Sequence, residues 1–358
     1  MVPLYIGSTA GYSGKNLITM GIGARLQKDG YRIGYFKPLG THPTRVNGLI
    51  TDEGAKFIHD ILKLEDPLEL VCPVVMTHDL QVTAYQKDVP GLEAKIINAY
   101  RQLAADKDVM LVGGAGNVYT GAYLGVSQVK IIKKLGLNVL LIDKYEGEFC
   151  LDCILAARDA LGKRLIGVVL NAVTLEYRED VEELVTTFLR RKGIEVFGAL
   201  PQDEVLAAIK VEDIAEGLGA KILCAHDKLD GLVKHFLIGG MQVDKFMEYH
   251  RRAPHNAVIV GGDRSDVQMV ALEGSTECLI LTGELYPNDL ILAKAEERGV
   301  PVMIVRDDTY TVAQKIQRLG GRLRLKETEK VARAIKAVGA HLDFGLLYRK
   351  LGLQQGRS

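Results

Sequence analysis

The sequence predicts an α/β protein in which a doubly wound, mostly parallel sheet, covered by helices on both faces, is followed by a second, smaller α/β domain. Three observations predict it. Short apolar runs alternate with amphipathic stretches from the first residue; a glycine-rich turn joins the first run to the first helical stretch; and 358 residues exceed what one core usually organises. The runs LYI (4–6), RIGYF (32–36), VMLV (109–112), NVLLI (138–142), LIGVVL (165–170) and EVFGALP (195–201) read as strands of the first domain. Helical spacing occupies 15–29, 51–63, 126–135, 150–161 and 177–192. A second alternation begins near residue 211. Its strands are 221–225, 233–239, 257–262, 277–283 and 301–305, and its helices 265–273, 287–298, 309–319 and 327–338. The boundary falls near 206–212, where no strand pattern appears, so the expected domains are 1–208 and 209–340, with a tail at 341–358.

Apolar and charged fractions of 47% and 25% are ordinary globular proportions, which disfavour long disorder, collagen-like repeats and coiled coil. Forty-five basic residues face 45 acidic ones, so the footprint of a general nucleic-acid binder is missing, and the run Arg190-Arg191-Lys192 reads as a solvated helix end. No stretch of about 18 uncharged apolar residues exists, and the N-terminus MVPLYIGSTAG has no basic segment followed by an apolar one. A cytoplasmic protein with neither a membrane nor a nucleic-acid partner is expected. Five cysteines, at 72, 150, 153, 224 and 278, suit reduced thiols, and no disulfide is expected.

The turn after the first strand reads Gly7-Ser8-Thr9-Ala10-Gly11-Tyr12-Ser13-Gly14-Lys15-Asn16. Small residues let backbone N–H groups curl around phosphate oxygens, the helix start adds its dipole, and a lysine reaches the terminal phosphates. The pattern G-x-x-x-x-G-K-[ST] is met imperfectly: Thr9 stands at the first glycine and Asn16 at the magnesium-binding hydroxyl. The plain alternative is a glycine-rich turn carrying a surface lysine.

The strings STAGYSGKN, KPLGT (37–41), Asp52, GGAGN (113–117) and LNAV (170–173) together resemble dethiobiotin synthetase and the related N-terminal domain of long phosphotransacetylases, over about residues 1–205. The stretch 258–289 resembles the DRTGG domain that follows in those phosphotransacetylases, over roughly 211–340. This resemblance implies a P-loop domain binding ATP and Mg²⁺ through Ser8, Thr9, Gly11, Ser13, Gly14, Lys15 and Asn16, with Asn171 reading the adenine. It further implies Lys37 and Thr41 as the catalytic pair that holds a carboxylate or carbamate near the γ-phosphate, and Asp52 as the magnesium-site aspartate. Phosphoryl transfer of that kind is mostly positioning and charge cancellation. The family's metal-ligand glutamate is absent, because the segment reads Val112-Gly113-Gly114; Asp52 alone, or with Asp143, is left to compensate. The acetyltransferase domain would follow this region, so no acetyltransferase activity is expected of a chain ending at Ser358. At least a dimer is implied by the same analogy.

Two other constellations carry possible chemistry. Cys150 and Cys153 open a helical run as a C-x-x-C, where packing of a helix start is favoured over a redox or shared metal site. In the second domain Asp263 and Arg264 follow one strand and Thr282 ends the next, which marks a crevice for an unidentified small ligand; Arg264 paired with Asp263 or Asp266 as a structural cap is the equal alternative. The eight histidines are scattered and read as structural. The leading function is therefore an ATP-binding regulatory or sensor protein in which the two domains communicate. The alternatives are an ATP-dependent ligase activating a carboxylate, and a metallocentre-assembly NTPase using the cysteine pair.

Overall fold

The computed structural model describes residues 1–320 and 328–356. The chain divides into two compact units. The first comprises Met1–Gln202 with the described residues from 328 onward, and the second begins at Asp203.

The first unit is a six-stranded parallel sheet. Its strands are β1 (Val2–Gly7), β2 (Ile33–Phe36), β5 (Val109–Gly113), β6 (Asn138–Lys144), β7 (Leu165–Val173) and β8 (Val196–Pro201), while β3 (Pro43–Val46) and β4 (Leu49–Asp52) form a separate hairpin. The order is β2-β5-β1-β6-β7-β8. Helices cover both faces, so the inner strands are apolar without alternation: Leu4, Tyr5 and Ile6, and Val109 to Val112, are all fully buried. Because β1 lies between β5 and β6, the loop leaving β1 is flanked by the ends of both, at the point where strand order reverses. The hairpin turns on Asn47-Gly48, both at positive φ (49° and 84°), which is the backbone a tight two-residue turn requires.

Helix α1 (Lys15–Lys28) is buried on nearly every side, from Leu17 through Gly23. One face meets the sheet. The other meets helix Thr328–His341 so closely that a Cβ at Gly21 would lie 2.5 Å from the Cβ of Val338. Helix Phe344–Leu351 continues this cover: Tyr348 Oη donates to Asp29 at 2.6 Å, and the Arg25 guanidinium lies 5.1 Å from the centre of the Phe344 ring. The C-terminal segment thus departs from the expected plan, in which 327–338 belonged to the second domain and 341–358 was a tail. Its apolar residues Val338, Phe344, Leu347 and Leu351 are buried, and they shield α1 from water.

Segment 177–192, expected as helical, is continuously helical from Arg178 to Arg191 after a short 3₁₀ turn, with a π-helical stretch at Val181–Val185 inside it. The extra residue per turn keeps Val181, Val185 and Leu189, spaced by four, on the buried face.

In the second unit β9 (Ile209–Lys210) and β11 (Leu232–Val233) make a small antiparallel pair. β10 (Lys221–Cys224), β15 (Val302–Ile304), β14 (Thr276–Thr282), β13 (Asn256–Gly261) and β12 (His235–Ile238) form a sheet in that order, with β10 antiparallel at one edge. Alternate residues serve two cores: Val258, Val260, Leu279 and Leu281 on one face, Ala257, Ile259, Cys278 and Ile280 on the other. No helix among the described residues is long and apolar enough to cross a membrane.

Candidate functional site

The end of the first sheet where β1 stops gathers the predicted loop residues. Residues 8–14 turn between β1 and α1, and Gly14 caps the helix at φ 91°. Position 14 admits only glycine, since a Cβ there would meet Asn171 Nδ2 at 2.1 Å. Gly11, by contrast, faces open space: a Cβ would meet nothing within 4 Å.

Side chains from the ends of β6 and β7, and a backbone carbonyl beyond β5, hold this loop. Asp143, at the end of β6, accepts from the Thr9 N–H at 2.8 Å. Asn171, at the end of β7, donates through Nδ2 to the Ser13 carbonyl at 2.9 Å. Ser13 donates its hydroxyl to the Ala10 carbonyl at 2.9 Å, and Ser8 Oγ reaches the Gly116 carbonyl beyond β5 at 3.1 Å. Lys15 folds back over the loop, its Nζ donating to Ser8 Oγ at 2.6 Å and to the Gly116 carbonyl at 2.8 Å. Burial, and then the charge of Lys37, push the Lys15 ammonium down to about 8, against the pull of Asp143. An ammonium with so little compensation gains from any anion placed beside it. Burial likewise pushes Asp143 up to about 6, its bonds from the loop opposing, and its Oδ2 is buried with no hydrogen-bond partner.

A second cluster adjoins the first. Lys37, just past β2, holds Asp52 at 2.6 Å, and both are buried (6% and 0% exposed). Burial pushes the Asp52 carboxyl up, but the Lys37 charge and the bonds from Lys37, His42 and Ala55 outweigh it and hold it below its ordinary range. Asp52 also caps helix α2 (Glu53–Ile61) through the Ala55 N–H. Thr41 gives Asp52 its backbone N–H at 2.9 Å, while its hydroxyl pairs with His42 Nδ1 at 3.1 Å. Asn16 joins this cluster: a Cβ at Gly54 would lie 3.0 Å from Asn16 Nδ2 and 3.2 Å from both Asp52 Oδ1 and Lys37 Nζ.

Asp52 is not a ready magnesium ligand, and the carboxylate oxygen still open beside the loop is the orphaned Asp143 Oδ2. Asp52 Oδ1 accepts from Lys37 Nζ and the Ala55 N–H, and Oδ2 from the Thr41 and His42 N–H groups. A carboxylate has about four lone-pair positions, so all are taken. At Gly113, where the glutamate would stand, a Cβ would lie 2.2 Å from Tyr35 Oη; at Gly114 it would lie 2.5 Å from Tyr5 Oη. Two tyrosine hydroxyls from β1 and β2 fill the space beside this glycine pair. Nothing in the sequence pattern pointed to Tyr35, because the contact depends on the pairing of β2 with β5.

In the second unit the ends of β13 and β14 are adjacent, Gly261 opposite Thr282. Arg264 grips Asp266 with two bonds of 3.0 Å and donates to the Met241 carbonyl at 3.2 Å. Asp263 is exposed, and the Thr282 hydroxyl pairs with that of Thr309 at 3.0 Å. Cys150 and Cys153 are free and half-buried; burial first, then the nearby Asp143 charge, push the Cys150 thiol up to about 12. Among the described residues no group of three or more His, Cys, Asp or Glu side chains is arranged to hold a metal ion.

Comparison with known proteins agrees with this architecture. Residues 3–210 match the AAA domain family and residues 213–319 the DRTGG domain. A phosphate acetyltransferase of Pseudomonas aeruginosa is 25% identical over 98% of this chain and 52% of its own length, and one from Synechocystis is 24% identical over 95% and 50%. The chain therefore spans about half the length of these relatives. An ATP-dependent dethiobiotin synthetase of Methanocaldococcus jannaschii is 26% identical over 56% of this chain and 94% of its own. With its parallel sheet, its glycine-rich loop and these matches, the chain belongs to the AAA domain family, in its dethiobiotin synthetase-like P-loop form joined to a DRTGG domain, and is homologous to the N-terminal region of phosphate acetyltransferases.

Proposed function

We propose that the protein is an ATP-binding regulatory protein, with nucleotide at residues 8–16 of the first unit and a small ligand at the ends of β13 and β14 in the second, near Asp263, Arg264 and Thr282. The observation that carries the nucleotide reading is Lys15: a half-buried lysine whose ammonium is held over a glycine-rich loop at a helix start and whose charge is poorly compensated until an anion arrives. Asn171 lies beside the same loop, where its amide fixes the loop through the Ser13 carbonyl. A cytoplasmic location and assembly as at least a dimer belong to the same proposal.

The ligase reading finds less support. The Thr41 hydroxyl is committed to His42, and the position for the missing carboxylate is filled by Tyr35. Titration calorimetry with ATP and ADP tests the proposal: the expected Kd is about 1 mM or tighter, with hydrolysis below about 1 s⁻¹. Absence of heat at high millimolar nucleotide would refute nucleotide binding, and faster unaided hydrolysis would favour the ligase.

A further inference from the structure

The geometry points to a site that takes the polyphosphate chain without a divalent cation, the Lys37 ammonium and the Asn16 amide meeting the terminal phosphate where a metal ion would otherwise neutralise it. This rests on the nucleotide-binding reading above. A magnesium site needs hard oxygen atoms with lone pairs still free, in a nearly octahedral arrangement. Here Asp52 has spent its lone pairs on Lys37, Ala55, Thr41 and His42. The place of a further carboxylate at residue 113 is closed by Tyr35 Oη, 2.2 Å from where a Cβ would sit.

The same substitutions suit a bare phosphate. A carboxylate beside a terminal phosphate is tolerable only with a cation between the two, and its loss at position 113 removes one such repulsion, leaving Asp143 on the loop's other flank to be offset by Lys15. Asn16 brings an N–H donor, within 3.0 Å of a Cβ built at Gly54, to a place where this kind of loop usually brings a metal-binding hydroxyl. Lys37 uses one of its three N–H bonds on Asp52 and keeps two for the ligand. Lys15 and the start of α1 supply the rest of the positive potential.

The test is calorimetry of the wild-type chain with ATP and with ADP, once in excess EDTA and once in excess MgCl₂. The expected dissociation constant in EDTA lies within about threefold of that in magnesium, and Lys37→Gln, which keeps a donor toward Asp52, weakens binding in EDTA by about tenfold or more. Binding more than about threefold weaker in EDTA than in magnesium, or Lys37→Gln binding as wild type, overturns the inference while leaving the nucleotide reading in place. Binding under neither condition overturns both.

Discussion

Replacing Gly113 with glutamate, the change that would restore a metal-site carboxylate, is expected to destabilise the first unit rather than activate it. A Cβ at residue 113 sits 2.2 Å from Tyr35 Oη, 2.9 Å from its Cζ and 3.1 Å from its Cε2, the first two closer than real Cβ contacts come. Tyr35 has no room to retreat: it is 1% exposed, and β2 is tied to β5 in register, Tyr35 opposite Leu111 and Phe36 opposite Val112. Overpacking of this sort costs about 1–3 kcal/mol, and burying an uncompensated carboxylate near Asp52 adds a desolvation cost of about 1–3 kcal/mol or more. The sum, about 2–6 kcal/mol, corresponds to a fall in Tm of roughly 4–24 °C for a unit of this size. Gly113→Ala isolates the steric part and is expected to lose about 1–3 kcal/mol. Combining it with Tyr35→Phe, which removes the atom in closest contact, should cost less than the sum of the two single changes. Thermal unfolding of these four variants beside wild type decides the matter. A Gly113→Glu protein melting within about 1 °C of wild type, well below the shift expected for even 1 kcal/mol, would show that Tyr35 does not fill this position.

Other expectations follow from the same contacts. The folded-state pKa of Asp143 lies near 6, above the value of about 3.9 for an unfolded aspartate, so the unfolded chain releases its proton first and this group's contribution falls as pH climbs from about 4 to 6. Urea unfolding should therefore show Asp143→Asn gaining on wild type across that window; parallel pH profiles would contradict it. Tyr348→Phe removes the 2.6 Å bond to the Asp29 carboxylate and should lower stability by about 1–3 kcal/mol, read as a lower urea midpoint at unchanged slope; an unchanged midpoint would mean that the C-terminal helices do not brace α1. Cys150→Ser with Cys153→Ser should change stability by only about 1–2 kcal/mol and leave nucleotide affinity intact, and elemental analysis of anaerobically purified protein should find no stoichiometric metal. A zinc ion or iron cluster lost in the double variant would move the function toward metallocentre assembly.

Much of the fold was legible because strands covered on both faces are continuous apolar runs, and NVLLI or VMLV carries that signal without any partner. The hairpin over 43–52 was not seen: Pro43–Val46 alternates between exposed and half-buried and has no apolar run, although Asn47-Gly48 was a turn signal that could have found it. Helices His78–Gln86 and Leu92–Leu103 were left unassigned, the first because it buries no residue and so has no apolar stripe. The C-terminal helices were misplaced because residue order says nothing about which core a late helix rejoins, and only the fit of Val338 against Gly21 reveals it. At the site, motif spacing pointed to Lys15, Lys37, Asp52 and Asn171. It could not show that Lys37 pairs with Asp52, or that Asn171 Nδ2 is spent on the Ser13 carbonyl, since these are contacts between segments 15 and 158 residues apart.

The central claim is that the loop around Lys15 binds nucleotide, and calorimetry of wild type against Lys15→Ala with ADP tests it most directly. Loss of a charge-assisted phosphate contact worth about 1.5–3 kcal/mol predicts affinity weaker by roughly tenfold to a hundredfold in a variant that remains folded. Equal affinity in the two proteins would contradict the account.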